Sequence, residues 1–337
     1  MAKHLMRPLR RESHPIGAEQ YASAITAAWL AAFPNSRPEE RDKEDWVENA
    51  CFLEAFTRLD VEHEIMEKAG NVRVSSSSDL LIEGDGEAAF FHMGISGSDH
   101  ATGIRHSLPL QKPSRTEPIS RYARSQAFVS TAGRKLAFAT PDGNSVDEAV
   151  RSIVPEGGGI FIKTLKKEMA RRFDIAAGSS PWLQMCEQDP DLPWTIMQFE
   201  GATVPYFLVQ GVIEPQYEYR MFMVGDRPVT GAGCVEAFTP LDNRETFDPK
   251  MEPVRNRTGV VSMPDVVDAY LAFAETFGRE FAQENGRELA YSLDLCIDRR
   301  TGNVVPIELN PPMNLGRYAS DVDAWVLAID ALMDEIA

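Results

Sequence analysis

From Leu289 to Gly316 the chain reads LAYSLDLCIDRRTGNVVPIELNPPMNLG, with polar and apolar positions alternating on either side of Arg300-Thr301-Gly302-Asn303. Period-two patterning broken by turn formers predicts two paired strands. The first carries one acid, Asp294, among apolar neighbours, and the second ends in Glu308-Leu309-Asn310 before Pro311-Pro312. Side chains two apart on a strand share a face, so Glu308 and Asn310 project together. With Asp294 facing them, two carboxylates and one amide oxygen converge. A sheet with polar residues on its wet face shows the same alternation.

The rest of the pattern extends this mixture of strand and helix. PDVVDAYLAFAETFGREFAQENG predicts an amphipathic helix opened by Pro264-Asp265 and closed near Gly286, and DVDAWVLAIDALMDEI predicts a closing helix. PYFLVQGVI, YEYRMFMVG, KLAFAT and GGGIFIK read as strands, and KKEMARRF as a basic segment after the last of these. Helices are expected within residues 119–135 and from Ser145 to Ile153, the latter with a capping box of Ser145 and Glu148. Residues 17–70 look helical, with apolar Trp46, Cys51, Phe52, Ala55 and Phe56 and a polar break from Pro34 to Lys43. DLLIEGDGEAAFFHMGI predicts two short strands around Gly84-Asp85-Gly86. Residues 96–118 are polar and irregular, and no internal repeat is present. The expected class is α+β with largely antiparallel sheets, divided at residues 1–118, 119–205 and 206–337.

Composition narrows the partners. The 337 residues, 43% hydrophobic and 25% charged, suit a soluble globular chain of two or three domains. A net charge of −17 argues against nucleic acid, while leaving room for a local basic pocket. Cys51, Cys186, Cys234 and Cys296 form no CxxC pair, which fits a reducing compartment and speaks against structural zinc. The basic start followed by AITAAWLAAF imitates a signal peptide, but the apolar run is too short to span a bilayer. It is read as an amphipathic first helix, with no membrane and a cytoplasmic location expected.

Four groups of residues suggest anion and metal chemistry. Lys163 ends a strand after three glycines, where it would reach a phosphate across a flexible loop; a solvated strand-end lysine is the bland alternative. Lys166, Lys167, Arg171 and Arg172 add positive charge, or simply an exposed helix face. Glu218 and Arg220 lie two apart on one strand face, and an acid for ribose hydroxyls beside a guanidinium for phosphate would suit a nucleotide. An exposed intrastrand ion pair has the same spacing. Oxygen-only ligands such as Asp294, Glu308 and Asn310 suit Mg²⁺.

In this order of strand lysine, hinge strand, Glu218-Tyr219-Arg220 strand, long helix and Asp…Glu-x-Asn hairpin, residues 119–337 resemble the ATP-grasp superfamily. The Glu-x-Arg strand is similar to the Asp-x-Arg of ribosomal-protein glutamate ligases and their relatives. The resemblance implies two α+β subdomains clamping ATP, preceded by a divergent N-terminal substrate domain. It implies that Lys163, together with Lys135, contacts phosphates. Val209 to Ile213 would form the adenine hinge, with Gln210, Gly211, Val212 and Ile213 as cofactor contacts. Glu218 would hold ribose and Arg220 the phosphates; Asp294, Glu308 and Asn310 would hold Mg²⁺. Arg255 or Arg257 would face the γ-phosphate and acyl phosphate, and Asn314 and Arg317 would contact nucleotide or substrate. Two departures stand out. Arg121 and Arg124 compete with Lys135 for the first phosphate position, and the expected lid, KTLKKEMARRFDIAAGSS, has few glycines and is basic.

The implied activity is a Mg-ATP-dependent ligase. It activates a carboxylate as acyl phosphate and joins it to an amine, with ADP and phosphate released. Its partners would be ATP and small-molecule or peptide carboxylates and amines. The alternatives are a kinase-like phosphotransferase and a nucleotide-binding regulatory protein without turnover. Other chemistries lack their patterns: GxSxG, GxxxxGK[ST] and HExxH are absent. All six histidines fall in the first third, where a polar loop accounts for His100 and His106.

Overall fold

The computed structural model describes residues 4–6, 52, 55–65, 72–74, 80–82, 90–92, 123–164, 170–200, 207–233, 264–287, 290–310 and 320–336. The chain forms two units. Residues 1–112, 217–295 and 310–337 make the first, and residues 113–216 and 296–309 the second. Among the described residues, no helix is long and apolar enough to cross a membrane.

The first unit opens with short strands: β1 (His4–Met6), β2 (His63–Ile65), β3 (Val72–Val74), β4 (Leu80–Ile82) and β5 (Phe90–His92). β1 pairs in parallel with β2 and β5, while β3 and β4 pair antiparallel. The two strands expected around Gly84-Asp85-Gly86 therefore form, yet they belong to different sheets. The helix expected through residue 70 ends sooner. Asp60 takes φ 56°, a left-handed conformation that closes a helix, and His63–Ile65 continues as strand.

The second unit holds α1 (Gln126–Thr131), β6 (Leu136–Ala139), α2 (Gly143–Ile153), β7 (Gly158–Thr164), β8 (Ala170–Ile175), α3 (Pro181–Gln188), α4 (Leu192–Glu200) and β9 (Phe207–Gly211). Its antiparallel sheet runs β6-β9-β7-β8. One face packs α2, α3 and α4 through Val146, Val150, Ile160, Ile162, Phe173, Met185, Ile196, Phe207 and Val209. Two expectations change here. Ser145 does not cap α2; Asp142 does, its Oδ1 accepting from the Ser145 N–H at 2.9 Å. A cap at Asp142 starts the helix at Gly143, three residues sooner than a cap at Ser145 would. The segment after β7 is a strand at Ala170–Ile175, because its exposed arginines flank buried Phe173 and Ile175. GGGIFIK forms a strand from Gly158, as expected, and Gly158 and Gly159 pair with Ile175 and Asp174 in the ladder. A Cβ at Gly157 would lie 2.6 Å from the Ile175 carbonyl oxygen, so that approach requires glycine.

Among the described residues six further elements follow: β10 (Pro215–Val224), β11 (Arg227–Gly233), α5 (Pro264–Asn285), β12 (Ala290–Asp298), β13 (Val304–Asn310) and α6 (Val322–Ile336). The second four-stranded sheet has the order β11-β10-β12-β13. In the first unit α5 lays Tyr270 on Tyr219 with ring centroids 5.4 Å apart, and Phe277 and Phe281 extend the aromatic layer to Tyr291. α6 adds Trp325 edge-on to Phe222. The predicted hairpin turn closes with Gly302 at φ 72°, its N–H donating to the Asp298 carbonyl at 2.7 Å.

Candidate active site

Strand alternation divides the second unit's sheet. Its even-odd partners Phe207, Val209, Ile160 and Ile162 enter the helix-covered core, so Leu208, Gln210, Phe161 and Lys163 point to the opposite face. Phe138 on β6 joins them beside Leu208. This face sets half-buried Phe138 and Phe161 beside the buried Leu208, with the Arg124 guanidinium 4.7 Å from the Phe138 ring centroid and Lys163 at the β7 end. Lys163 Nζ lies 2.6 Å from Glu308 Oε2, and both side chains keep access to solvent, at 13% and 16% exposure. A charge-assisted bond of that length fixes the ammonium beside a carboxylate on β13.

Lys135 goes elsewhere. It sits just before β6 and donates through Nζ to the Ser152 carbonyl at 3.1 Å, near the end of α2 on the helix-covered side. Gln210 is 4% exposed and accepts from Arg134 Nε at 2.8 Å. Residues 211–214 are tied down on both flanks. Gly211 N–H donates to the Lys135 carbonyl, Val212 O accepts from Arg300, and Glu214 N–H donates to Asp298 Oδ1 at 3.1 Å. Burial of the Asp298 carboxyl opposes its ionisation. The Glu214 and Arg300 donors and the Arg300 charge outweigh that and hold it below the usual aspartate range. The main chain of residues 211–214 is thus held by hydrogen bonds with Lys135, Asp298 and Arg300.

In the first unit Arg220 is 6% exposed and Asp294 1%. Arg220 Nε and Nη2 each donate to one Asp294 oxygen at 2.7 Å, a two-pronged buried pair. Asn310 Nδ2 donates to Asp294 Oδ2 at 2.9 Å, and Ser292 Oγ approaches Oδ1 at 3.4 Å. The exposed ion pair within β10 is not what forms: Arg220 turns to β12, while Glu218 is half-buried. Just before it, Tyr217 takes φ 56°, and the Tyr270 hydroxyl donates to its carbonyl.

The expected metal set can be tested by its donors. Among the described residues no group of three or more His, Cys, Asp and Glu side chains lies together. Of the expected ligands, Asp294 and Asn310 stand in the first unit and Glu308 in the second, all oxygen donors of the kind Mg²⁺ takes. Glu308 retains solvent access, whereas Asp294 is engaged by Arg220 and Asn310. Arg255, Arg257, Asn314 and Arg317 lie outside the described residues, as do Lys166 and Lys167.

Sequence patterning passes over two features of this region. Phe138 and Phe161 are visible only once β6, β9 and β7 are in register. Arg134 looks like part of a polar break; its one signal is position, directly after a glycine and just before the edge strand β6.

The chain is similar to ATP-grasp ligases. D-cycloserine synthetase DcsG matches at 11% identity and TM-score 0.49, covering 99% of this chain and 100% of that one. D-alanyl-alanine synthetase A from Vibrio cholerae matches at 13% identity and TM-score 0.46, covering 99% of both. The ATP-grasp ligase PsnB, complexed with a precursor variant, Mg and ADP, matches at 12% identity and TM-score 0.42, covering 100% and 98%. No family model matches the sequence, and no curated protein does.

Proposed function

We propose that this protein is a Mg-ATP-dependent ligase that activates a carboxylate and joins it to an amine. The observation that carries the reading is the Lys163–Glu308 pair at 2.6 Å, at the end of a half-buried aromatic face of the second unit. The surface suits a nucleotide base, the ammonium suits a phosphate, and the carboxylate suits a metal ion bound to that phosphate. The ATP-grasp resemblance of residues 119–337 supports the same assignment.

In this reading Asp294, Glu308 and Asn310 hold Mg²⁺, which would neutralise charge on the transferring phosphoryl group. Lys163 binds phosphate. Gln210 to Ile213 hold the base, and Glu218 the ribose. Arg220 orients Asp294 and supplies positive charge. Arg255 and Arg257 are assigned to the acyl phosphate, and Asn314 and Arg317 to substrate. A carboxylate oxygen attacks the γ-phosphorus and the bond to ADP breaks. The amine then attacks the acyl carbon, phosphate leaves, and the amine proton is lost. Charge alignment performs most of this work, so no protein nucleophile is required.

The test incubates the full chain with Mg-ATP and paired panels of carboxylates and amines, including short peptides. ADP is followed optically and products by mass spectrometry. A ligase gives ADP, free phosphate and a product lighter than its two substrates by one water. Phosphate retained on a substrate would make the protein a phosphotransferase. Tight ATP binding with no ADP across the panel would make it a nucleotide-binding protein without turnover.

A further inference from the structure

Arg134 follows Gly133, which takes φ 63° and packs so closely that a Cβ there would lie 2.6 Å from Val305 Cγ1 on β13. From that approach the guanidinium spreads over two strands of the second unit. Nη1 donates to the Ala132 and Pro306 carbonyls, both at 2.8 Å, and Nη2 to the Ile307 carbonyl at 3.1 Å. Nε donates to Gln210 Oε1 at 2.8 Å, and the group lies 5.7 Å from the Phe128 ring centroid. Pro306 and Ile307 immediately precede Glu308. One planar fork therefore links the residue at the start of the hinge to the main chain that carries the Lys163-bound carboxylate.

We infer that Arg134 is a positioning residue for nucleotide binding, setting Gln210 and Glu308 in one fixed relation. The inference rests on the proposed ATP site. The fork is what the position needs. It presents donors in one plane at fixed angles, whereas a lysine has a single ammonium and cannot hold the Gln210 amide and two successive carbonyls at once. Arg134 touches no reacting atom in this scheme; its effect is on how firmly ATP is held.

The experiment measures Mg-ATP binding by calorimetry, and thermal melting, for the wild type, Arg134→Lys, Gln210→Leu and the double variant. The wild type binds ATP. Arg134→Lys loses about tenfold or more in affinity, as expected for a misplaced set of charge-assisted bonds, while its melting midpoint stays within a few degrees of the wild type. The double variant binds within about threefold of the weaker single variant, because both cut one link. Wild-type affinity in Arg134→Lys, or fully additive losses in the double variant, overturns the inference and leaves the ATP site standing. A wild type that does not bind ATP overturns the parent reading instead. If Arg134→Lys melts below assay temperature, Arg134→Gln is read in the same way. Failure of both to fold makes Arg134 a residue of the fold and overturns the inference.

Discussion

Lys163 and Arg220 are both cations held by carboxylates, but burial gives them different duties. The Lys163–Glu308 pair retains solvent access, so a phosphate can approach the ammonium without a large desolvation cost. Lys163→Ala should weaken ATP binding about tenfold or more, the worth of one bond to a charged group, and Lys163→Arg should recover only part of it. Unchanged nucleotide affinity in the alanine variant would remove Lys163 from the site. Arg220 is enclosed with Asp294, so losing it strands a buried carboxylate. Arg220→Met should cost about 3–5 kcal/mol of stability in addition to turnover. Glu218→Ala should raise the KM for ATP with a near-normal melt, as loss of uniform binding does. Two mild and similar melts would place Arg220 outside any buried network.

At the scale of elements, α5 depends on a close approach as much as on its apolar stripe. A Cβ at Gly278 would sit 2.5 Å from the Asp226 carbonyl oxygen and 2.8 Å from Met223 Cε. Gly278→Ala should therefore destabilise the protein by about 1–3 kcal/mol, despite alanine's better helix propensity. An unmoved denaturant midpoint would contradict that packing. Elements with one strong periodic signal were legible in advance: α5, α6, and the β12–β13 hairpin with its turn. β8 was not, since its exposed arginines read as a helix face until Phe173 and Ile175 are seen to alternate into the core. The start of α2 is ambiguous in the sequence because serine and aspartate both cap helices, and the structure shows that Asp142 is the cap, accepting from the Ser145 N–H.

For the whole molecule, the α+β class with mixed helices and antiparallel sheets follows from pattern alone. The strand reading of their segments also puts Lys163, Glu308 and Asn310 near strand ends, as they stand in β7 and β13. What sequence hides is non-local. The Arg134 fork joins residues 76 and 172 positions apart, and the Arg220 fork joins Asp294 from 74 positions away. Such links depend on strand register, which local periodicity does not encode. The tight anchoring of residues 211–214 by Arg300 and Asp298 is hidden in the same way.

The central claim is that Glu308 serves a Mg-ATP reaction. Its most direct test is ADP release by the wild type and Glu308→Gln at saturating Mg²⁺, with an accepted carboxylate and amine. Glutamine keeps the shape and removes the charge, so the account predicts a folded variant with turnover lost by about 100-fold or more, as for other positioned charge-stabilising groups. Near-wild-type ADP release from a folded Glu308→Gln would contradict it.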